Sequence, residues 1–447
     1  MRKVLLITYP FPPLGVAGSL RPFRFAKNLI HFGWIPIVIT IKEREDLYKD
    51  RSLLSELPSE VIIHRTSTFD PYLLYYSNKT RRNENMNSAE IVIKNNANNY
   101  NIFRNILSKI KYVIYIVLTT PDHQVFWFPF AFKKAASIIK TGNIKIIITT
   151  SPPNSGHLIG LALKKIFRIP WIADFRDPWV DNFKIRKMSS TQKWIESKME
   201  KWIMQNADRV IANTDTNRQR LIERYRNVDS SRFETIHNGF EEVKLNATGK
   251  SNVFTITHIG LLYPSINPYF FIEPIKTWLN EFGENAKEFV QVIFVGIDDD
   301  VTKNIIATNG LSEMVKFVER VSHKEALEIA ANSDVLLISL GFEESNKGWI
   351  PMKLYDYLSC KKPIIAFLPD GEAANIIRKT KSGFVITKED LDMSVKVFKD
   401  LHENRNKKGW SENINFSEEH INQFEIKNLT LKLSKIMNNI TGINRYG

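Results

Sequence analysis

Short runs rich in valine and isoleucine alternate along this chain with longer amphipathic stretches, the signature of parallel sheets covered by helices. In the first half the apolar runs predict strands near residues 3–9, 35–41, 60–66, 144–150, 170–174 and 209–213, with helices over 19–33, 154–166 and 190–206. A second series begins at "VFTITHIG", residues 253–260, and continues through "FVQVIFVGI", "VKFVER", "DVLLISL" and "PIIAFL". Two Rossmann-like, doubly wound α/β domains follow from this alternation.

Between the series, "ETIHNGFEEVKLNATGKSN" is polar and carries glycines, which sets a linker near 240–251. The first domain is therefore expected over 1–240 and the second over 252–416. Asparagine and charge displace apolar residues over 78–101, so a mobile insertion is expected there. The last stretch, 417–447, contains "EIKNLTLKLSKIMNNI", a helical pattern whose leucine and isoleucine face needs a surface.

Length and charge narrow the picture. A chain of 447 residues is long for a single core. The excess of 62 basic over 48 acidic residues, a net +14, favours an anionic partner: nucleic acid, an anionic membrane or a phosphorylated small molecule. No nucleic-acid-binding module is recognisable, which discounts the first. Cys360 is the only cysteine, reads as packing, and fits a reducing compartment. The apolar run in "MRKVLLITYPFPP" is too short for a signal peptide or a span, so a cytoplasmic chain is expected. Arg104, Lys109 and Lys111 interrupt the lipid-like segment 101–120. It reads as a core helix with a solvated basic face, or as a basic amphipathic helix on the inner face of an anionic membrane; the second gives an expected peripheral attachment.

Candidate chemistry lies just beyond the strands, where open parallel sheets bind ligands. The turn "PFPPLGVAGSLRP", residues 10–22, carries Gly15 and Gly18 before a helix start, a place where backbone can approach phosphate. It lacks the GxGxxG spacing, and no acidic residue ends the second strand, so a dinucleotide cofactor is discounted. "TTSPPNSGHLIG", residues 149–160, offers Ser151, Asn154, Ser155 and His157, and "WIADFRDPWVDN", residues 171–182, sets Asp174, Arg176 and Asp177 together. Each has a plainer reading: Ser155 as an N-cap, His157 as a satisfied histidine, Arg176 with Asp177 as a salt bridge. Three strand ends converging on polar side chains nevertheless indicate a cleft. In "NKGWIPMKLYDYLSC", residues 346–360, Lys353 and Asp356 share one helix face behind Pro351, where a lysine can meet phosphate and a carboxylate can hold ribose hydroxyls. "GIDDDV", residues 296–301, reads as first-turn acids, not a metal site. HExxH, GxSxG and Walker patterns are absent from the sequence, and no metal ligand set is expected.

Taken in order, "YPFPPLGVAGSLRP", "PDHQVFW", "TTSPPNSGHLIG", "WIADFRDPW", "ADRVIANTDTNRQRL", "TIHNGF", "THIGLLY" and "IPMKLYDYLSCKKPIIA" resemble the GT4-like retaining glycosyltransferases of the GT-B fold, which act in bacterial surface polysaccharide synthesis. The resemblance implies two Rossmann-like domains facing a cleft, with a nucleotide-sugar donor held mainly by the second domain. A saccharide or lipid-linked acceptor would lie against the first, and the terminal helix would cross back to it. It implies no cofactor besides the nucleotide sugar as co-substrate. Gly15 and Gly18 would approach the diphosphate or acceptor, Gly260 the nucleotide, and Asp356 would take the place of a ribose-binding glutamate, with Lys353 beside it. Asp174, Arg176, Asp177 and His157 would line the catalytic wall. Two departures stand out. Gly348 occupies the position of the glutamate that meets the donor sugar, leaving Glu343 or Glu344 as substitutes. The basic pair expected after "THIG" is also missing, so Lys353, Lys347 and Arg320 become the candidates for the phosphates. Transfer would pass through an oxocarbenium-like state with same-face attack, without metal. A GT-B sugar-nucleotide epimerase and a non-catalytic GT-B binding subunit are the rival readings.

Overall fold

The computed structural model describes residues 1–44, 48–69, 113, 115, 116, 118–180, 188–242, 252–262, 267, 269–281, 283, 286–297, 299–405 and 415–442. The expected insertion at 78–101, Arg104, Lys109, Lys111 and Asp298 lie outside the described residues.

In the first domain the apolar runs become β1 (Arg2–Ile7), β2 (Trp34–Ile41), β3 (Ile62–Thr66), β4 (Ile144–Ser151), β5 (Trp171–Phe175), β6 (Arg209–Ala212) and β7 (Phe233–Thr235). They form one sheet in the order β3-β2-β1-β4-β5-β6-β7, every pairing parallel. Helices α1 (Ala17–Leu29), α2 (Phe128–Gly142), α3 (Ser155–Phe167), α4 (Ser190–Asn206) and α5 (Asp215–Arg224) make the crossovers. Strand order reverses beside β1 and β4. That switch point leaves a crevice beyond their carboxyl ends.

The second domain repeats the plan with β8 (Phe254–Ile259), β9 (Val290–Val295), β10 (Val315–Val318), β11 (Val335–Ser339), β12 (Ile364–Phe367) and β13 (Gly383–Ile386), in the order β10-β9-β8-β11-β12-β13 and all parallel. Its helices include α6 (Ile272–Asn280), α7 (Asp300–Thr308), α8 (His323–Ala331), α9 (Met352–Cys360), α10 (Glu372–Thr380) and α11 (Met393–Asn404). Its switch point falls between β8 and β11.

The chain crosses between domains twice, and the crossings are stapled together. Phe240 N donates to Phe424 O at 3.1 Å, and Ile426 N to Phe240 O at 2.8 Å. Gly239 permits the approach, because a Cβ there would stand 2.4 Å from the Phe424 carbonyl oxygen. Beyond the second crossing, α12 (Ile426–Ile440) lays Ile426, Leu429, Leu433, Ile436 and Met437 into the first-domain core beside Phe23, Ala26 and Trp34. Arg2 and Trp34 both donate to Asn438 Oδ1, at 2.7 and 3.2 Å.

Candidate functional site

The two switch points face each other. On the second-domain side, β8 is followed by Gly260, whose φ of +81° is left-handed and favours glycine. A Cβ there would lie 3.8 Å from Lys353 Nζ, so the glycine and the lysine of α9 form one corner. Lys353 Nζ donates to His258 Nε2 at 2.7 Å and to Leu261 O at 3.3 Å. His258 gives its Nδ1 proton to Leu337 O at 2.9 Å, which leaves Nε2 as the acceptor. Burial, then the neighbouring lysine, holds that imidazole neutral. Burial lowers the pKa of Lys353 itself to about 7. Lys353 has no carboxylate partner among the described residues. Among those residues it is thus a lysine without a counterion, at the place where an open sheet receives ligands.

Asp356, one turn further along α9 and expected to take the place of a ribose-binding glutamate, already has two basic partners. It bonds Arg24 Nη2 of α1 at 3.1 Å and His323 Nε2 at 3.2 Å, so its carboxylate bridges the domains. Burial opposes its charge, but His323 and Arg24 outweigh it and hold its pKa at about 2. Further contacts join the two domains. Arg320 donates to the Gly15 carbonyl and covers the Tyr48 ring at 4.1 Å, and His323 N donates to Asp50 at 3.4 Å; toward the other edge of the sheets, Thr216 N donates to Glu372 at 2.6 Å. Arg320 and Gly15, 305 residues apart, therefore meet across the cleft. The N-terminus of α1 next to them carries neither an acidic residue nor a side-chain cap.

On the first-domain side the three-charge stretch divides into two roles. Asp174 is 4% exposed, and its carboxylate receives Arg21 Nε at 3.0 Å, Arg21 Nη2 at 2.7 Å and Thr150 Oγ1 at 2.9 Å. Arg21 also donates to Ile236 O, His237 O and Asn238 Oδ1. The sequence places Asp174 on the catalytic wall; in the structure its oxygens fix α1 to the first interdomain crossing, which is a positioning role. Arg176 donates to Gly18 O at 2.7 Å, and a Cβ on Gly18 would stand 2.7 Å from the same guanidinium, which explains the glycine. Gly15 is likewise pressed against the Tyr48 ring. Asp177 lies 3.6 Å from Arg176 Nε and, with Trp179, Asn217 and Arg220, lines a small cavity at the ends of β5 and β6.

His157 is enclosed and stacks on Phe175 at 4.3 Å. Trp171 Nε1 donates to Thr149 Oγ1 at 2.8 Å, and the same hydroxyl shares a hydrogen bond of 2.8 Å with His157 Nδ1. Burial drives this pKa down to about 3, so His157 is neutral and does not act as a cationic acid. Its Nε2, Ser151 Oγ and Ser155 Oγ are buried without a hydrogen-bond partner among the described residues. Three such atoms in one turn at a switch point are unusual, since buried polar groups are normally paired. Asp122 of the "PDHQ" stretch supplies the carboxylate that caps Ser155 N, at 2.8 Å.

Gly348, the position of the missing glutamate, faces α5: a Cβ there would lie 3.1 Å from Thr216 Cγ2 and 3.5 Å from Arg220 Nη1. Glu343 accepts from Asn346 Nδ2 at 2.8 Å, and Glu344 pairs with the exposed Lys347 at 2.8 Å. Both substitutes are thus engaged locally. Sequence reasoning missed Arg21, Arg24, Tyr48, Asp50, His258 and His323, whose partners lie far away in the chain.

Residues 101–243 match the family described as Glycosyltransferase Family 4, and residues 254–415 match Glycosyl transferases group 1. No curated protein matches the sequence. Among solved structures, sucrose-phosphate synthase from Thermosynechococcus elongatus is similar at 13% identity and a TM-score of 0.62, over 99% of this chain and 100% of that one. A glycosyltransferase from Rickettsia africae is similar at 16% identity and 0.61, over 98% of each chain. Anabaena HepE, solved with UDP-glucose, is similar at 14% identity and 0.60, over 98% of this chain and 100% of that one. At these identities the structural likeness establishes the fold alone.

Proposed function

From a chain whose two domains are those of a GT4-like glycosyltransferase of the GT-B fold, we infer transfer of a sugar from a nucleotide-sugar donor to a saccharide or lipid-linked acceptor, with retention, in bacterial surface polysaccharide synthesis. The observation that carries this reading is Lys353, a lysine without a carboxylate partner among the described residues, beside the left-handed Gly260 at one switch point. A diphosphate there meets a lysine already held in place by His258, with the N-terminus of α1, which has no side-chain cap, across the cleft. Groups fixed in advance stabilise the charge that grows on the leaving diphosphate without reorganising. The acceptor hydroxyl approaches along the wall of Arg176, Asp177 and the β4–α3 turn. Its oxygen bonds to the anomeric carbon as the bond to the diphosphate breaks, and its proton passes to the departing phosphate oxygen on the same face. HepE and the Staphylococcus aureus protein TarM, solved with UDP-glucose and with UDP respectively, lend support by analogy.

The reading requires no divalent metal. Asp299 in the acidic run uses both carboxylate oxygens to cap α7, accepting from Thr302 N at 2.8 Å and from its hydroxyl at 2.9 Å. The test is release of nucleoside diphosphate from a panel of nucleotide sugars with lipid-linked acceptors. Release should depend on the acceptor and proceed equally in chelator and in magnesium. An epimerised nucleotide sugar formed without acceptor would assign an epimerase, and binding without turnover a binding subunit; either result overturns transfer.

A further inference from the structure

Helix α4 places its acids inward and its tryptophans outward. Its buried side carries Gln192, Glu196 and Glu200 along with Ile203 and Met204, whereas Trp194 and Trp202 stand 64% and 58% exposed. A water-facing helix normally turns its glutamates outward and its tryptophans inward. The glutamates are held from within: Trp179 Nε1 donates to Glu196 at 2.7 Å and the Tyr225 hydroxyl to Glu200 at 2.6 Å. A capping box between Ser189 and Gln192 fixes the start of the helix. The outward tryptophans are thus set by a rigid mount and are not the product of a loose surface.

At 100° per residue, Trp194, Lys198, Lys201 and Trp202 fall within one stripe, while Glu196 and Glu200 point to the opposite side. No acidic residue interrupts that stripe. The two tryptophans are about 12 Å apart along the axis. The neighbouring α3 packs against α4 and ends in the exposed Lys165 and Ile166, the latter 61% exposed. Both helices run from the carboxyl edge of the sheet to its opposite edge, so Lys165 and Ile166 lie beside the Trp202 end of the stripe.

We propose that this α4 stripe is a docking surface for an anionic lipid bilayer. Tryptophan prefers the headgroup level, where its ring is half-buried and its N–H stays wet, and lysines beside it extend their stems to phosphate. Charge decides between occupants: a stripe of tryptophan and lysine without a carboxylate, on a chain of net +14, complements an anionic lipid surface. The attachment is reversible, and it would bring the first domain against a membrane. Its readout is binding, so its failure leaves glycosyl transfer untouched.

The experiment is co-sedimentation of the full chain with phosphatidylcholine vesicles, with and without a minor share of phosphatidylglycerol. The wild type should sediment with the anionic vesicles and be released by salt. Lys198→Gln with Lys201→Gln should weaken partitioning by about tenfold or more, and Trp194→Ser with Trp202→Ser should abolish it. Both pairs should keep the wild-type thermal midpoint, because the side chains are exposed. Binding that survives both pairs, or equal binding to neutral vesicles, overturns the proposal. Loss of a concentration-dependent dimer in the tryptophan pair, with vesicle binding absent from the wild type, would assign the stripe to self-association and overturn it as well.

Discussion

Replacing Arg21 by methionine is expected to lower the thermal midpoint of the first domain by about 6–20 °C, the shift that a loss of about 3–5 kcal/mol produces in a domain of this size. Arg21 and Asp174 are both buried and share two hydrogen bonds, and the guanidinium also serves three oxygens of residues 236–238. Removal of the arginine strands a carboxylate that, among the described residues, keeps Thr150 alone as a donor. Differential scanning calorimetry reads the effect. Asp174→Asn separates positioning from chemistry: a variant with wild-type stability but no turnover would return Asp174 to the catalytic wall, whereas parallel loss of both fits the structural role.

Lys353→Met should weaken nucleotide-sugar affinity by roughly 10- to 150-fold, the range of a lost charged hydrogen bond of about 1.5–3 kcal/mol, without unfolding the second domain. The pH dependence follows from its pKa of about 7. Below that value the ammonium is charged and ready for the diphosphate. Above it the free protein holds a neutral amine, so binding must recruit a proton and affinity declines as pH rises. The methionine variant should show a flat profile over the same interval. Titration calorimetry from acid to alkaline pH distinguishes the two, and an unchanged slope in the variant would remove Lys353 from the phosphate site.

The fold was legible because buried parallel strands read as continuous apolar runs. The runs near 35–41, 144–150 and 209–213 lie within a residue of β2, β4 and β6. β7 escaped notice, since Phe233–Thr235 is three residues long and only one of them is apolar. The site was legible only in its frame. Gly15, Gly18, Gly260 and Lys353 announce close approach or charge near strand ends, and the structure sets them at the two switch points. Arg21 and Arg24 give no such signal, because arginines on a helix read as solvent-exposed until their partners, 153 and 332 residues away, are known. The same distance hid the occupation of Asp174 and Asp356. Glu196 and Glu200 read as ordinary surface charges next to Trp194, and only tertiary packing shows that the helix presents its tryptophans and hides its acids.

The central claim, that the Lys353 ammonium receives the donor diphosphate, is tested most directly by counting protons. A nucleotide sugar carries a diphosphate diester that does not titrate near neutral pH, so any proton taken up on binding belongs to the protein. Calorimetry at about pH 8 in two buffers of different ionisation enthalpy should show uptake approaching about one proton per site, as a lysine with a pKa of about 7 becomes charged. Binding with no proton uptake, at an affinity that Lys353→Met leaves unchanged, would contradict the account.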